Sequence, residues 1–230
     1  MNKVFIRINA ICIGRTQFLT CNSETTMAKI LNIHSSSPQL RLIRQVIDIL
    51  NAGGVIAYPT DSGYALGCKL GNKKGIDTIR KIRVLDKHHH FTLMVESLSS
   101  IGEYARLDKP KFRLLKNILP GPYTFILRAV KDVPNRLLHP KKKTIGFRVS
   151  DNNIVRSLLT ELAEPIMSVS LILDEVEFYD IDDIKEILFN KVDLIIDGGY
   201  CPIDPTTVIN LADNNISILR KGAGDISFLS

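Results

Sequence analysis

"VIAYPTDSGYALGCKL", Val55 to Leu70, is the stretch whose reading decides the fold. Two apolar runs flank a loop of Pro59, Thr60, Asp61, Ser62 and Gly63. A tight hairpin needs only two turn residues, so the extra small polar groups ask for another reason. Val55–Tyr58 is continuously apolar, as a strand buried on both faces should be, and Ala65–Leu70 reads as a second short strand. Polar groups gathered at a strand end lie where open α/β sheets place their ligands.

Upstream, Leu40, Ile43, Val46, Ile47 and Leu50 recur at helical spacing, with Ser37 expected as N-cap, Pro38 at the first helical position and Gly53-Gly54 as the stop. Downstream, a helix is expected through Ile76, Ile79 and Ile82, then strands at "FTLMV", "YTFILRAV", "KTIGFRV", "PIMSVSLIL" and "VDLIID". Between them lie helical stretches capped by Asp108, Asp151 and Asp180, and the chain closes with a hairpin of "TTVINL" and "ISILR" around "ADNN". Helices and strands mix throughout, which predicts one α/β or α+β domain over residues 38–230 with a large twisted sheet. Residues 1–37 read as an N-terminal extension. Met27 is an alternative start, and Arg7, Asn9 and Arg15 break the apolar run that a signal peptide would need.

The composition is that of a globular chain, 45% hydrophobic, with no apolar run of membrane-spanning length. Cys12, Cys21, Cys68 and Cys201 are scattered, without a C-x-x-C pair, as expected of reduced thiols in a cytoplasmic protein. The net charge of +6 is unevenly spread. Arg106 to Arg148 is rich in lysine and arginine, while Asp174 to Asp197 is acidic. That asymmetry suggests a field for an anion such as a nucleotide or RNA, although a lysine-rich solvated surface would look the same.

The candidate site residues are hydroxyls and cations near strand and helix ends: Thr60, Lys81, Arg83, Thr124, Arg148, Ser168, Ser170, Thr206 and Thr207. They suit the binding of phosphate and carboxylate by charge and hydrogen bonds. No Cys/His or Ser/His/Asp grouping at a readable spacing points to a covalent nucleophile, and neither a P-loop nor G-x-G-x-x-G is present. Each residue also has an ordinary reading: Lys81 and Arg83 favour a helix C-terminus, and Ser168, Ser170, Thr206 and Thr207 are normal strand residues. His88–His90 point alternately if extended and so do not converge on one ion; they read as a polar loop near the ligand, with no tightly bound metal.

The motifs "YPTDSGYALGC", "KIR", "FTLM", "PGPYTFIL", "TIGFRV", "SVSL" and "PTTVINL" occur in an order that resembles the YrdC/YciO family, and "PTDSGYALGC" is similar to the form of the YciO branch. The resemblance implies a single YrdC-like domain with a concave positive face. It also implies an L-threonylcarbamoyladenylate synthase, which joins L-threonine, bicarbonate and ATP, with Mg²⁺, into threonylcarbamoyl-AMP and pyrophosphate for the t6A modification of tRNA. By that resemblance Thr60 holds the amino acid, Lys81 and Arg83 meet the phosphates, Thr124 contacts the nucleotide and Arg148 pairs with a carboxylate or phosphate. Ser168 and Ser170 form a hydroxyl pair, and Thr206 and Thr207 match the S-T of a further motif. The chain departs from the synthases at Ser170-Leu171-Ile172, where they carry Ser-Ala-Asn; at the acidic residues that follow; and at Asn210, where they often have Asp. A second reading therefore stays open: a module binding double-stranded RNA, tRNA or the ribosome without synthesis.

Overall fold

The structure, a computed structural model, describes residues 27–86, 89, 91–130, 133, 138, 142–173, 176–177, 181–213 and 215–229. Its centre is β2 (Val55–Thr60), of which every residue is buried. It is paired antiparallel with β3 (Gly63–Lys69) as far as Thr60↔Gly63, so the five-residue loop expected over Pro59–Gly63 is in fact a tight turn of Asp61 and Ser62 alone, because Pro59, Thr60 and Gly63 join the strands. Around them runs a ten-stranded mixed sheet. On one side of β2 lie β10 (Leu194–Asp197) and, at the edge, β1 (Lys29–Asn32), both parallel to it. Beyond β3 the order continues through β7 (Ile166–Ser170), β4 (Thr92–Met94), β6 (Thr144–Arg148) and β5 (Tyr123–Arg128). The terminal hairpin of β11 (Thr207–Asn210) and β12 (Ser217–Arg220) completes the sheet.

Side chains alternate along a strand, so pairing sorts this sheet into two faces. One face presents Leu66, Leu93, Phe125, Phe147, Met167 and Ile209. It is covered by α2 (Lys73–Ile82), α3 (Leu98–Ile101), α4 (Lys109–Ile118) and α6 (Ile181–Leu188), through Ile79, Ile101, Leu115 and Leu188. The other face presents Ile56, Tyr58, Ala65, Ile166, Leu194 and Ile196, and is covered by α1 (Leu40–Asn51) and α5 (Asn153–Leu162). These two helices pack on each other, and the apolar cluster beneath them reaches no further across the sheet than Met94 of β4. Over β6, β5, β11 and β12 this second face carries no helix among the described residues, and a cleft opens there.

Several expectations need correction. The domain begins before Pro38: β1 pairs with β10 in register from Lys29↔Leu194 to Asn32↔Asp197, and Leu31 and Ile33 are buried with α1. The N-cap of α1 is Gln39 rather than Ser37, and the Gln39 side chain accepts from the His34 backbone N–H at 3.1 Å instead of capping the helix. The cap of α5 is Asn152, whose Oδ1 accepts from Ile154 and Val155, rather than Asp151. "PIMSVSLIL" is two strands, β7 and the short β8 (Ile172–Leu173), which pairs with β9 (Val176–Glu177). Asp108 caps α4 as expected, accepting from Lys111 N–H at 2.8 Å. Asp180, His88 and His90 lie outside the described residues.

Candidate functional site

The quoted loop closes on itself. The Thr60 hydroxyl donates to the Gly63 carbonyl at 2.5 Å and accepts from the Ser62 N–H and from Arg148 Nη2, each at 3.1 Å. Its donor and both acceptor positions are therefore engaged. The Thr60 carbonyl in turn accepts from Cys201 Sγ at 3.0 Å. The turn is thus built by Thr60, and Asp61 faces inward instead of forming an Asx turn. Asp61 Oδ1 accepts from Arg148 Nη2 and from Ser150 Oγ. Arg148, on β6, is only 5% exposed. This is a buried ion pair, which breaks at high cost but adds little when intact. Asp61 Oδ2 and Arg148 Nε are buried without a hydrogen-bond partner among the described residues.

The cleft, of about 410 Å³, lies over the uncovered half of the second face. Its floor follows the strand alternation: Thr92, Gly146, Thr144, Thr124, Thr206 and Asn210 all point into it. Apolar Ile126, Val208 and Leu219 lie towards the β11–β12 edge, and Arg83, His89 and Lys142 stand at other points of the wall. A narrow second cavity shares Ser170, Ile172 and Arg220 with the cleft and ends at Ser62 and Gly63, which brings the quoted loop to the site.

Thr124 and Thr206 are joined hydroxyl to hydroxyl at 2.8 Å, and Arg220 clamps Thr206 through both its carbonyl and its hydroxyl at 2.9 Å. Arg83 follows α2, and its Nε is buried without a hydrogen-bond partner among the described residues. Burial lowers the pKa of this guanidinium below its usual range, the mark of a cation taken from water. His89 is held below the ordinary histidine value, first by desolvation and then by the charge of Arg83.

Of the nine residues singled out from the sequence, Arg83, Thr124, Ser170 and Thr206 line the cleft. Thr60 and Arg148 stand together beside it as a buried cluster. Ser168 faces the same side but is covered; its hydroxyl is 2.6 Å from that of Tyr58, whose pKa burial pushes up to about 12. Lys81 is exposed in the last turn of α2 and lines none of the described cavities, so it does not form a pair with Arg83 there. Thr207 points to the opposite face, where its hydroxyl donates to the Gly224 carbonyl at 2.7 Å and accepts from Gly222 N–H; it ties down the C-terminal segment. Sequence reading missed Arg220, Lys142, Thr92, Thr144 and Asp213 as cleft residues. The period-two run Thr144-Gly146-Arg148 was a usable signal for Thr144. Arg220 sits at the end of an ordinary amphipathic strand and carried none.

A family model described as "Telomere recombination", that of the Sua5/YciO/YrdC proteins, matches residues 48–222. The chain belongs to this family. It is 50% identical to the YciO protein of Escherichia coli K12 over 202 residues, which is 87% of this chain and 98% of that protein. The crystal structure of E. coli YciO matches with a TM-score of 0.84 over 87% of this chain and 98% of that one. A threonylcarbamoyl-AMP synthase of Vibrio vulnificus YJ016 is 26% identical over 160 residues, 68% of this chain and 86% of the synthase. The crystal structure of P. abyssi Sua5 complexed with L-threonine shares the fold with a TM-score of 0.77 at 23% identity, over 84% of this chain and 57% of that one. The single mixed α/β domain is thus common to the family. No helix among the described residues is long and apolar enough to cross a membrane.

Proposed function

We propose that the chain is a cytoplasmic, ATP-dependent nucleotidyltransferase of the threonylcarbamoyl-AMP synthase type. The observation that carries this reading is Arg83: a guanidinium whose buried Nε has no partner among the described residues, on the wall of a cleft floored by threonine hydroxyls. Such a cation favours an anionic ligand, because a donor left unsatisfied away from water costs free energy that a phosphate oxygen recovers. ATP would lie with its base on Ile126, Val208 and Leu219 and its phosphates towards Arg83 and Lys142, with Mg²⁺ arriving on the triphosphate. The family's synthases and the L-threonine carried by a Sua5 relative support an amino-acid co-substrate. It would enter at Ser170 and Ile172, where the narrow cavity leads to the Thr60 loop.

The free amine of threonine and bicarbonate give a carbamate and water. A carbamate oxygen then attacks the α-phosphorus, and pyrophosphate leaves. No covalent bond to the protein forms, so the chain acts by positioning and by neutralising charge. Because Arg148 is already paired with Asp61, it supports the Thr60 turn and reaches a carboxylate only if that pair opens. The product would serve the t6A modification of tRNA. The test is pyrophosphate release by the purified chain, with threonylcarbamoyl-AMP identified by mass. Release that needs ATP, bicarbonate and L-threonine together supports the reading; release indifferent to the last two overturns it.

RNA binding receives less support. The basic run from Arg106 is divided by the fold: Lys109, Lys111, Arg113 and Lys116 ride on α4, which covers the face opposite the cleft. Lys131, Arg136 and Lys141 lie outside the described residues.

A further inference from the structure

On the face of the molecule opposite the cleft, α3 and α4 do not close on each other. Between them lies an open groove of about 420 Å³ floored by Leu98, Ala105, Leu107 and Val130. A second depression of about 230 Å³ continues it along the start of α4, sharing Leu107 and Phe112. Phe112 lines both and is 39% exposed. A lone exposed apolar residue is ordinary, but one standing where an apolar groove meets a depression lined by Asp108, Lys109 and Arg113 offers an apolar anchor beside charge.

The rim is cationic. Arg106 and Arg113 line the two depressions, and Lys109 lines the second. All three are exposed, and none makes an ion pair among the described residues. The acid beside them, Asp108, is already engaged by the Lys111 N–H at 2.8 Å and by Lys111 Nζ at 3.4 Å. Apolar floor and unpaired cationic rim together describe the complement of an acidic segment with apolar anchors. A duplex RNA fits less well: it needs a track of cations along a phosphate backbone and has no use for a greasy floor.

We infer that the α3–α4 groove is a protein-docking surface for an acidic peptide segment of another protein, which places two or three apolar side chains around Phe112 and its carboxylates on Arg106, Lys109 and Arg113. The α4 helix spans about 15 Å at 1.5 Å per residue, enough for roughly three turns' worth of contact and a weak, regulated interaction rather than a permanent one. The groove shares no residue with the cleft, so docking there leaves the nucleotide site open.

The probe is a fluorescein-labelled 14-residue synthetic peptide with leucine at helical spacing and glutamate elsewhere, titrated with the full chain by anisotropy. A matched peptide carrying lysine for glutamate and a short RNA duplex serve as competitors. The expected result is micromolar binding of the acidic peptide only. Arg106→Glu with Arg113→Glu should weaken it at least tenfold, and Phe112→Ser about as much, with ATP binding in the cleft unchanged. The two arginines are exposed, so the charge variant keeps the test valid if Phe112→Ser melts early. Failure of the acidic peptide to bind, equal binding by the variants, or preferential binding of the RNA duplex overturns the inference. So does sedimentation showing that Phe112→Ser turns a dimer into a monomer, because a second copy would then own the groove.

Discussion

Arg83 and Lys81 are two positions apart, and the fold gives them different fates. Arg83 reaches the cleft with a buried Nε, while Lys81 stays in solvent. Arg83→Ala should therefore weaken ATP binding by about 1.5–3 kcal/mol, the range for a hydrogen bond to a charged group. Lys81→Ala should change it by much less; calorimetry with both variants checks the difference. The same arginine acts on His89. A nearby cation disfavours protonation, so His89 titrates below its ordinary value, with desolvation the larger cause. In Arg83→Ala the His89 pKa should rise towards, without reaching, the ordinary value, as read by NMR titration of the imidazole. Ile172 lines both the cleft and the narrow cavity, at the position that the resemblance to the synthases matches to an asparagine. If that amide serves the reacting adenylate, Ile172→Asn should speed threonylcarbamoyl-AMP formation, by up to about 3 kcal/mol in barrier for one well-placed donor. An amide left unpaired would instead destabilise the fold by about 1–3 kcal/mol. Single-turnover assays beside thermal melts separate the two results.

At the scale of elements, helix caps show how far local signals reach. Asp151 and Asn152 are both good caps by type, and sequence alone favours neither strongly. In the fold Asn152 holds two backbone N–H groups, while Asp151 lies 3.9 Å from Arg156 at the surface. Asn152→Ala should cost about 1 kcal/mol in thermal or denaturant unfolding, and Asp151→Ala distinctly less. The strands tell a similar story. Val55–Tyr58 was readable as a strand because burial on both faces leaves an unbroken apolar run, whereas its extension through Pro59 and Thr60 was not. "PIMSVSLIL" was read as one strand because hydropathy does not record where pairing ends. β7 stops at Ser170, and the Leu171 N–H already donates to Tyr64 at 2.8 Å.

For the whole molecule, the sheet begins earlier than the sequence pattern implied. A chain starting at Pro38 loses β1, and with it buried Leu31 and Ile33 over α1 and the edge pairing of β10. At about 1.5–3 kcal/mol for each large apolar side chain, that truncation should destabilise the domain by roughly 3–6 kcal/mol relative to a start at Met27. Urea titrations of the two truncated chains measure it. The placement of the cleft is also a property of the whole sheet. It exists where α1 and α5 end and strands from widely separated parts of the chain lie side by side, β6 beside β4 and β5, and β11 beside β5.

The sequence by itself determined the mixed α/β class, the two strands that flank Pro59–Gly63, most helices and strands, and the family motifs. These rest on local periodicity and turn chemistry, which neighbouring residues suffice to express. It also marked Arg83, Thr124, Ser170 and Thr206, each beside a recognisable motif. Only the tertiary structure decided that Thr60 spends its hydroxyl on its own turn and on Arg148, that Thr207 faces away while Thr206 faces in, and that Arg220 joins the site. The physical reason is that a strand offers two faces, and which of them meets the cleft depends on register with partners far along the chain. Thr124 and Thr206, 82 positions apart, come within hydrogen-bond distance only because β5 and β11 pair in that register.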